Sequence, residues 1–317
     1  MNEFLLNSVW AVLNSKIITK RDNSVECQLK HFKSLKRIVN IHDVDKTRLL
    51  DLGEYHEWQQ IELFTSDDIE LAGMYWINPI KTDKWIISLH GFSSKKEVAA
   101  TAASFFKAMG YNIFAFDFRN QGMSSEDFVT FGVKEQEDLL TALKYLRKEF
   151  HPTTVGLIGF SMGAYALNAF ALNNEPVFQE YNIKFGISDS TFANLSPAIS
   201  RLTETFGHHL KVSRKIIDNM LVWVKNRYMI NTEMLNLSNF NLNNVTSFPI
   251  LYLHSKDDKI TSYKDSEKFI KERKSVKVLG KDNIVLFTKV GHIKAIFDVT
   301  QQYVDAVKQF LQENQVN

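Results

Sequence analysis

One cysteine, Cys27, in 317 residues excludes an internal disulfide, and no Cys/His cluster with metal-ligand spacing accompanies it, so neither a disulfide framework nor a structural zinc is expected. A reducing compartment follows, with the cytoplasm as the expected location. Charge of one sign is also lacking. Lys and Arg total 38 against 36 for Asp and Glu, a formal net charge of +2, and this lacks the basic footprint of a nucleic-acid binder. No apolar run is long enough to cross a bilayer, and the N-terminal stretch from Phe4 to Ser15 is broken by Asn7, Ser8 and Asn14. That stretch has no basic start and no small-residue cleavage site, so no secretory signal is read there. Internal repeats and low-complexity tracts are absent as well.

What remains is a chain with 44% hydrophobic residues, enough to bury a full core, and a length that suits one large α/β domain with an insertion. Residues 1–56 read as a helical extension. Leu5, Leu6, Val9, Val12 and Leu13 fall on one helical face, and Lys16, Lys20, Arg21, Lys30, Lys33, Lys36 and Arg37 follow. Such a segment is expected either to dock on the domain or to serve as a peripheral membrane anchor.

From about residue 57 short β-rich runs alternate with longer helical ones, the pattern of a mostly parallel sheet covered on both faces. Eight strands are predicted: Gln60 to Thr65, Leu71 to Ile77, Trp85 to Leu89, Asn112 to Phe116, Thr154 to Gly159, Lys184 to Ser188, Ile250 to His254 and Ile284 to Lys289. Ile86-Ile87-Ser88-Leu89 and Ile250-Leu251-Tyr252-Leu253 are nearly continuous apolar runs, as strands buried on both faces require. The two opening strands precede any helix and suggest an antiparallel start. Helices are predicted over Lys95 to Met109, Val133 to Glu149, Met162 to Leu172, Tyr263 to Glu272 and Val299 to Gln312. The stretch at about 191–248 interrupts the alternation and is too long for an ordinary connection, so it reads as a helical cap inserted over the sheet.

Gly159-Phe160-Ser161-Met162-Gly163 lies between an apolar strand and a helix-prone run, the strand-turn-helix context that gives G-x-S-x-G its meaning. A strained turn there pushes the Ser161 hydroxyl outward, and the helix start leaves N–H groups free beside it. A hydroxyl becomes a nucleophile only with a base at hand, and His292 follows the last strand. An acid is needed to fix the histidine's tautomer. Asp257 and Asp258, after the run ending at His254, and Asp189, at the end of the preceding strand, all compete for that place. Acyl transfer further needs donors for a developing oxyanion, and the backbone N–H groups of Phe92 and Met162 are the candidates. His90 reads as a structural hydrogen-bonding residue. His208 and His209 diverge as helix neighbours and have no third ligand near, so they read as cap surface.

Together these residues resemble the bacterial α/β-hydrolase superfamily, in particular its serine-aminopeptidase-like and monoacylglycerol-lipase-like esterases, over roughly Glu57 to the C-terminus. His90-Gly91-Phe92 resembles the oxyanion loop, and Asp117-Phe118-Arg119-Asn120-Gln121-Gly122-Met123-Ser124 the family's D-x-R-G-x-G-x-S loop. Asn120 stands where glycine is usual, but asparagine tolerates a left-handed backbone and the turn should survive. His254-Ser255-Lys256-Asp257-Asp258 resembles the acid loop H-G-x-x-D, which implies Asp258 as the acid, with Ser255 in place of glycine. Gly291-His292 resembles the catalytic histidine loop. The resemblance implies an α/β-hydrolase fold, a Ser161–His292–Asp258 triad, no cofactor and no metal. The expected activity is hydrolysis of a small-molecule carboxylic ester with an apolar or lipid-like acyl group, a peptidase or thioesterase being the alternative within the same chemistry and a non-catalytic binding protein the alternative outside it.

Overall fold

The computed structural model describes residues 49–173, 177–206 and 212–316, together with Leu6, Ser8, Val9, Ala11, Asn14 and Lys30. Cys27, His208, His209 and most of the basic N-terminal segment lie outside the described residues.

Eight strands form one sheet: β1 (Gln59–Phe64), β2 (Glu70–Trp76), β3 (Lys84–Leu89), β4 (Asn112–Phe116), β5 (Thr154–Phe160), β6 (Ile183–Asp189), β7 (Ile250–Ser255) and β8 (Asn283–Phe287). Their spatial order is β1-β2-β4-β3-β5-β6-β7-β8. β1 pairs antiparallel with β2 and β2 antiparallel with β4, while every other pair is parallel. All eight runs picked out by composition are strands, and the opening pair is antiparallel, as is the pairing of β2 with β4.

In the central strands side chains alternate across the sheet and are buried on both sides. Trp85, Ile87 and Leu89 of β3 enter one core cluster and Ile86 the other; on β5, Val155 and Leu157 enter the first and Ile158 and Phe160 the second. Helices cover both faces: α1 (Lys96–Ala103), α2 (Glu135–Phe150), α3 (Met162–Asn173), α4 (Leu195–Phe206), α5 (Arg214–Tyr228), α6 (Tyr263–Glu272) and α7 (Thr300–Glu313). In α3 every position from Met162 to Leu172 is buried, matching a sequence that is apolar all round.

The predicted helix from Lys95 to Met109 is in fact two pieces. The α-helix ends at Ala103, a 3₁₀ segment covers Ser104–Met109, and Gly110 closes it with φ of 77°. The tighter winding places the consecutive Phe105 and Phe106 both in the core, with ring centroids 4.4 Å apart. Between β6 and β7 lie α4, α5 and two 3₁₀ turns at Thr232–Leu235 and Leu237–Asn239.

Near the N-terminus Leu6 is buried in the core, Val129 N–H donates to Asn14 Oδ1 (2.6 Å), and Asn120 Nδ2 donates to the Asn14 carbonyl (3.1 Å). Leu50 and Leu52 are buried in the same cluster as Trp58. No helix among the described residues is long and apolar enough to cross a membrane.

The strand order reverses at β3: the chain steps from β3 outward to β4, then crosses back to β5 on the other side. The loops leaving the C-terminal ends of β3 and β5 therefore diverge, and such a switch point opens a crevice in an α/β sheet.

Candidate active site

Ser161 sits in that crevice, between the last residue of β5 and the first of α3, with φ of 53°. Its N–H donates to the Asp189 carbonyl (2.9 Å) and its carbonyl accepts from Tyr165 N–H (3.0 Å), so the strained residue is pinned from both sides. The flanking glycines answer to close approach. A Cβ on Gly163 would lie 2.4 Å from the Leu89 carbonyl oxygen and one on Gly159 would lie 2.5 Å from that of Gly163.

His292, in the loop after β8, faces the serine with Nε2 2.9 Å from Ser161 Oγ. Its Nδ1 is 2.7 Å from Asp258 Oδ2. The Asp258 side chain is wholly buried and its other oxygen accepts from the N–H groups of Ile260 (2.8 Å) and Thr261 (3.0 Å). Burial opposes its charge, but hydrogen bonds from His254 and His292 and from the Ile260 N–H outweigh it and hold the carboxyl well below the usual range. Sequence reasoning did not find Thr261, whose hydroxyl lies 2.9 Å from Asp258 Oδ2, 3.3 Å from His292 Nδ1 and 3.0 Å from the Ser190 carbonyl.

The two rival aspartates are engaged elsewhere. Asp257 accepts the Lys289 N–H (2.6 Å) and ties the acid loop to the end of β8. Asp189 accepts the Ser190 hydroxyl (2.8 Å), is 1% exposed, and burial pushes its carboxyl up to about 6. Because the folded pKa is raised, the native state holds a proton that the unfolded chain releases near pH 4, and stability falls as pH rises from about 4 to about 6. Asp189→Asn keeps the acceptor for Ser190 and removes this loss. The variant is expected to match wild type near pH 4 and to exceed it by roughly 2 to 3 kcal/mol at pH 7.5 in urea unfolding.

Across the crevice, the loop after β3 is held by a set of buried polar contacts. His90 Nε2 accepts the Phe118 N–H (3.0 Å), so the ring proton resides on Nδ1 and is donated to the Gly91 carbonyl (2.8 Å). Complete burial lowers the His90 pKa and keeps it neutral. Ser93, at φ of 59°, donates its N–H to Gln121 Oε1 (2.7 Å). Gln121 lies in the loop Asp117–Ser124, where Asn120 adopts φ of 59° and a Cβ on Gly122 would fall 2.2 Å from the Asp117 carboxyl carbon. Asp117 in turn accepts from Lys96 Nζ (2.9 Å) and from the Lys96 and Met123 N–H groups (2.6 and 3.0 Å). That loop therefore shapes the backbone at Phe92. Among the described residues neither the Phe92 nor the Met162 amide donates to a carbonyl.

A cavity of about 430 Å³ opens beside Ser161 and His292. Leu195, Ala198, Ile199 and Leu202 line it from α4, the i, i+3, i+4, i+7 stripe of one helical face. Phe92, Phe131 and Phe192 line it too; the Phe92 and Phe131 rings are 5.0 Å apart, and Phe192 stacks on Tyr165 at 4.3 Å. No Asp or Glu is among the described residues that line it.

Comparisons with known proteins agree with this architecture. Uncharacterized protein YqkD of Bacillus subtilis (strain 168) is 22% identical over 226 residues, 69% of this chain and 70% of its own. The esterase Pf2001 of Pyrococcus furiosus superposes with a TM-score of 0.62 at 24% identity, over 81% of this chain and 92% of that one. Est1E of Butyrivibrio proteoclasticus, solved with ferulic acid bound, superposes with a TM-score of 0.58 at 21% identity, over 81% of this chain and all (100%) of that one. At these identities the superpositions establish the α/β-hydrolase fold. The family model Hydrolase_4, described as serine aminopeptidase, S33, matches residues 80–281, from just before β3 to just before β8, and the chain belongs to that family of α/β-hydrolases.

Proposed function

We propose that this protein is a serine esterase that hydrolyses small carboxylic esters with an apolar acyl or aryl group. The observation that carries the reading is the continuous line from Asp258 Oδ2 through His292 to Ser161 Oγ, at 2.7 and 2.9 Å, opening on an apolar cavity. In this mechanism Ser161 Oγ attacks the ester carbonyl while His292 Nε2 takes its proton, and Asp258 holds the imidazolium that forms. The oxyanion is received by the Phe92 and Met162 amides, the latter at the N-terminus of α3. His292 then protonates the departing alcohol, and water activated by the same imidazole cleaves the acyl-enzyme to acid and free Ser161.

The family's name raises the peptidase reading. An aminopeptidase must hold the substrate's ammonium group, for which a buried carboxylate is the natural partner. The cavity lining supplies none among the described residues, which favours the ester. A volume of about 430 Å³ is at the smaller end of ligand pockets, which favours short to medium acyl chains.

Turnover of p-nitrophenyl esters from acetate to palmitate, beside amino-acid p-nitroanilides, tests this. Expected are ester hydrolysis with an optimum at intermediate chain length and labelling of Ser161 by a fluorophosphonate. Ala198→Trp, which fills the α4 side of the cavity, is expected to move the optimum toward acetate with at least a tenfold loss on the preferred ester. Faster cleavage of the p-nitroanilides, or no ester turnover and no label in folded protein, would overturn the reading.

A further inference from the structure

His254 takes no part in the mechanism above, yet it shares the acid's oxygen with His292. It lies on β7, is 1% exposed, and places Nε2 3.3 Å from Asp258 Oδ2 and 3.2 Å from Thr261 Oγ1. Its Nδ1 is 2.8 Å from the buried Ser266 hydroxyl on α6. A bare Nε2 would set its lone pair against a carboxylate oxygen. The arrangement therefore requires the proton on Nε2, with Nδ1 accepting from Ser266. Thr261 has one hydroxyl proton, for which the Ser190 carbonyl and Asp258 compete, so it cannot by itself assure Oδ2 a second donor.

We propose that His254 is a positioning residue of the Ser161–His292–Asp258 triad, its Nε2–H fixing Asp258 Oδ2 toward His292. This inference rests on the esterase reading. Asp258 is on a loop; two amides grip its Oδ1, while Oδ2 is held by His292 and by a Thr261 hydroxyl whose single proton the Ser190 carbonyl also contests. A ring planted in a central strand gives Oδ2 a fixed donor. It also draws off part of the carboxylate's charge, so Asp258 orients His292 without holding its proton too tightly.

Two experiments decide the matter. In wild-type protein, ¹⁵N NMR of the histidine side chains is expected to find a proton on His254 Nε2; an unprotonated Nε2 overturns the proposal, and this needs no variant to fold. Second, His254→Leu and His254→Gln are compared with wild type and Ser161→Ala on one p-nitrophenyl ester, with rates per fluorophosphonate-titrated site. Leu is expected to lower kcat about tenfold or more, with KM changed less than about twofold. It should also shift the acid limb of kcat/KM upward by about half a pH unit, because more of the Asp258 charge then faces His292 and favours the imidazolium. Gln, which retains an N–H, should recover much of both effects.

Asp258, Asp189 and Asp265 are the carboxyls whose charges act on His254, and Arg201 acts on Asp265. Burial places Asp189 at about 6, in the same pH range, so the comparison is repeated in Asp189→Asn. A leucine variant with wild-type kcat per titrated site and an unmoved limb, losing only folded yield, shows a structural role and overturns the inference. Failure of the esterase reading has a different signature, an inactive wild type or an active Ser161→Ala, and the inference then falls with it.

Discussion

Ser161→Ala is expected to lower kcat on the preferred ester by about 10⁶-fold, and Asp258→Asn by about 10⁴-fold, with the fold and KM little changed. The first removes the nucleophile. The second keeps the size and the backbone donors at Oδ1 but replaces an anionic acceptor with an amide that can present an N–H to His292 Nδ1. The imidazole then adopts the tautomer with its proton on Nε2, facing Ser161, and cannot accept the serine's proton. Asp257→Asn and Asp189→Asn are the matched controls. Asp257 binds the Lys289 amide and Asp189 the Ser190 hydroxyl, so neither exchange should cost more than about tenfold. Stopped-flow and steady-state rates on the four variants check the assignment. An Asp189→Asn loss as large as that of Asp258→Asn would move the acid to β6.

The three aspartates show how far the chain could be read directly. Buried strands announce themselves as apolar runs, and the central ones were legible for that reason, whereas β1 is mostly exposed and carries no such run; the elbow was legible because strand, glycines and helix start are contiguous. The acid was not decided by its residues alone, because Asp189 and Asp258 both follow strands that are neighbours in the sheet, β6 and β7. What separates them is reach. Asp189 ends its strand and stays in the core, while Asp258 lies three residues past Ser255, on a loop long enough to bring it to His292. Resemblance to a known loop supplied that choice where the residues did not.

Thr261, Gln121 and the partnership of His254 with Asp258 were illegible for a related reason. Each acts through a contact made only when distant loops meet, and none carries a periodic or spacing signal. The α4 stripe is the intermediate case: Leu195, Ala198, Ile199 and Leu202 have helical spacing, but spacing cannot say whether such a face meets core or cavity.

Arg119 carries the second large effect, on stability. Its guanidinium is wholly buried and binds three carboxylates: Asp138 through Nε and Nη2 (2.9 and 2.6 Å), Asp67 through Nη1 (2.8 Å) and Asp127 through Nη1 (2.9 Å). These join the β1–β2 turn, the loop after β4 and α2. Arg119→Met leaves Asp138, itself wholly buried, without its cation, and is expected to destabilise the protein by about 3 to 5 kcal/mol at pH 8. Burial pushes Asp138 up to about 7 even with Arg119 against it, and removing the arginine raises it further. Below that pH the folded variant holds a neutral Asp138 and is spared the unpaired charge. The deficit should therefore shrink as pH falls from above 8 to about 7 and level off below that, where both folded forms hold the proton, which urea unfolding from pH 9 to pH 5 measures; a deficit independent of pH would mean that lost packing dominates. Asp138→Leu added to Arg119→Met should return part of the loss at pH 8, since it removes the carboxylate that the first exchange strands. Gln121, two residues along the same loop, holds the Ser93 amide beside the proposed oxyanion donor Phe92, so under the proposed mechanism the surviving folded protein should also lose turnover.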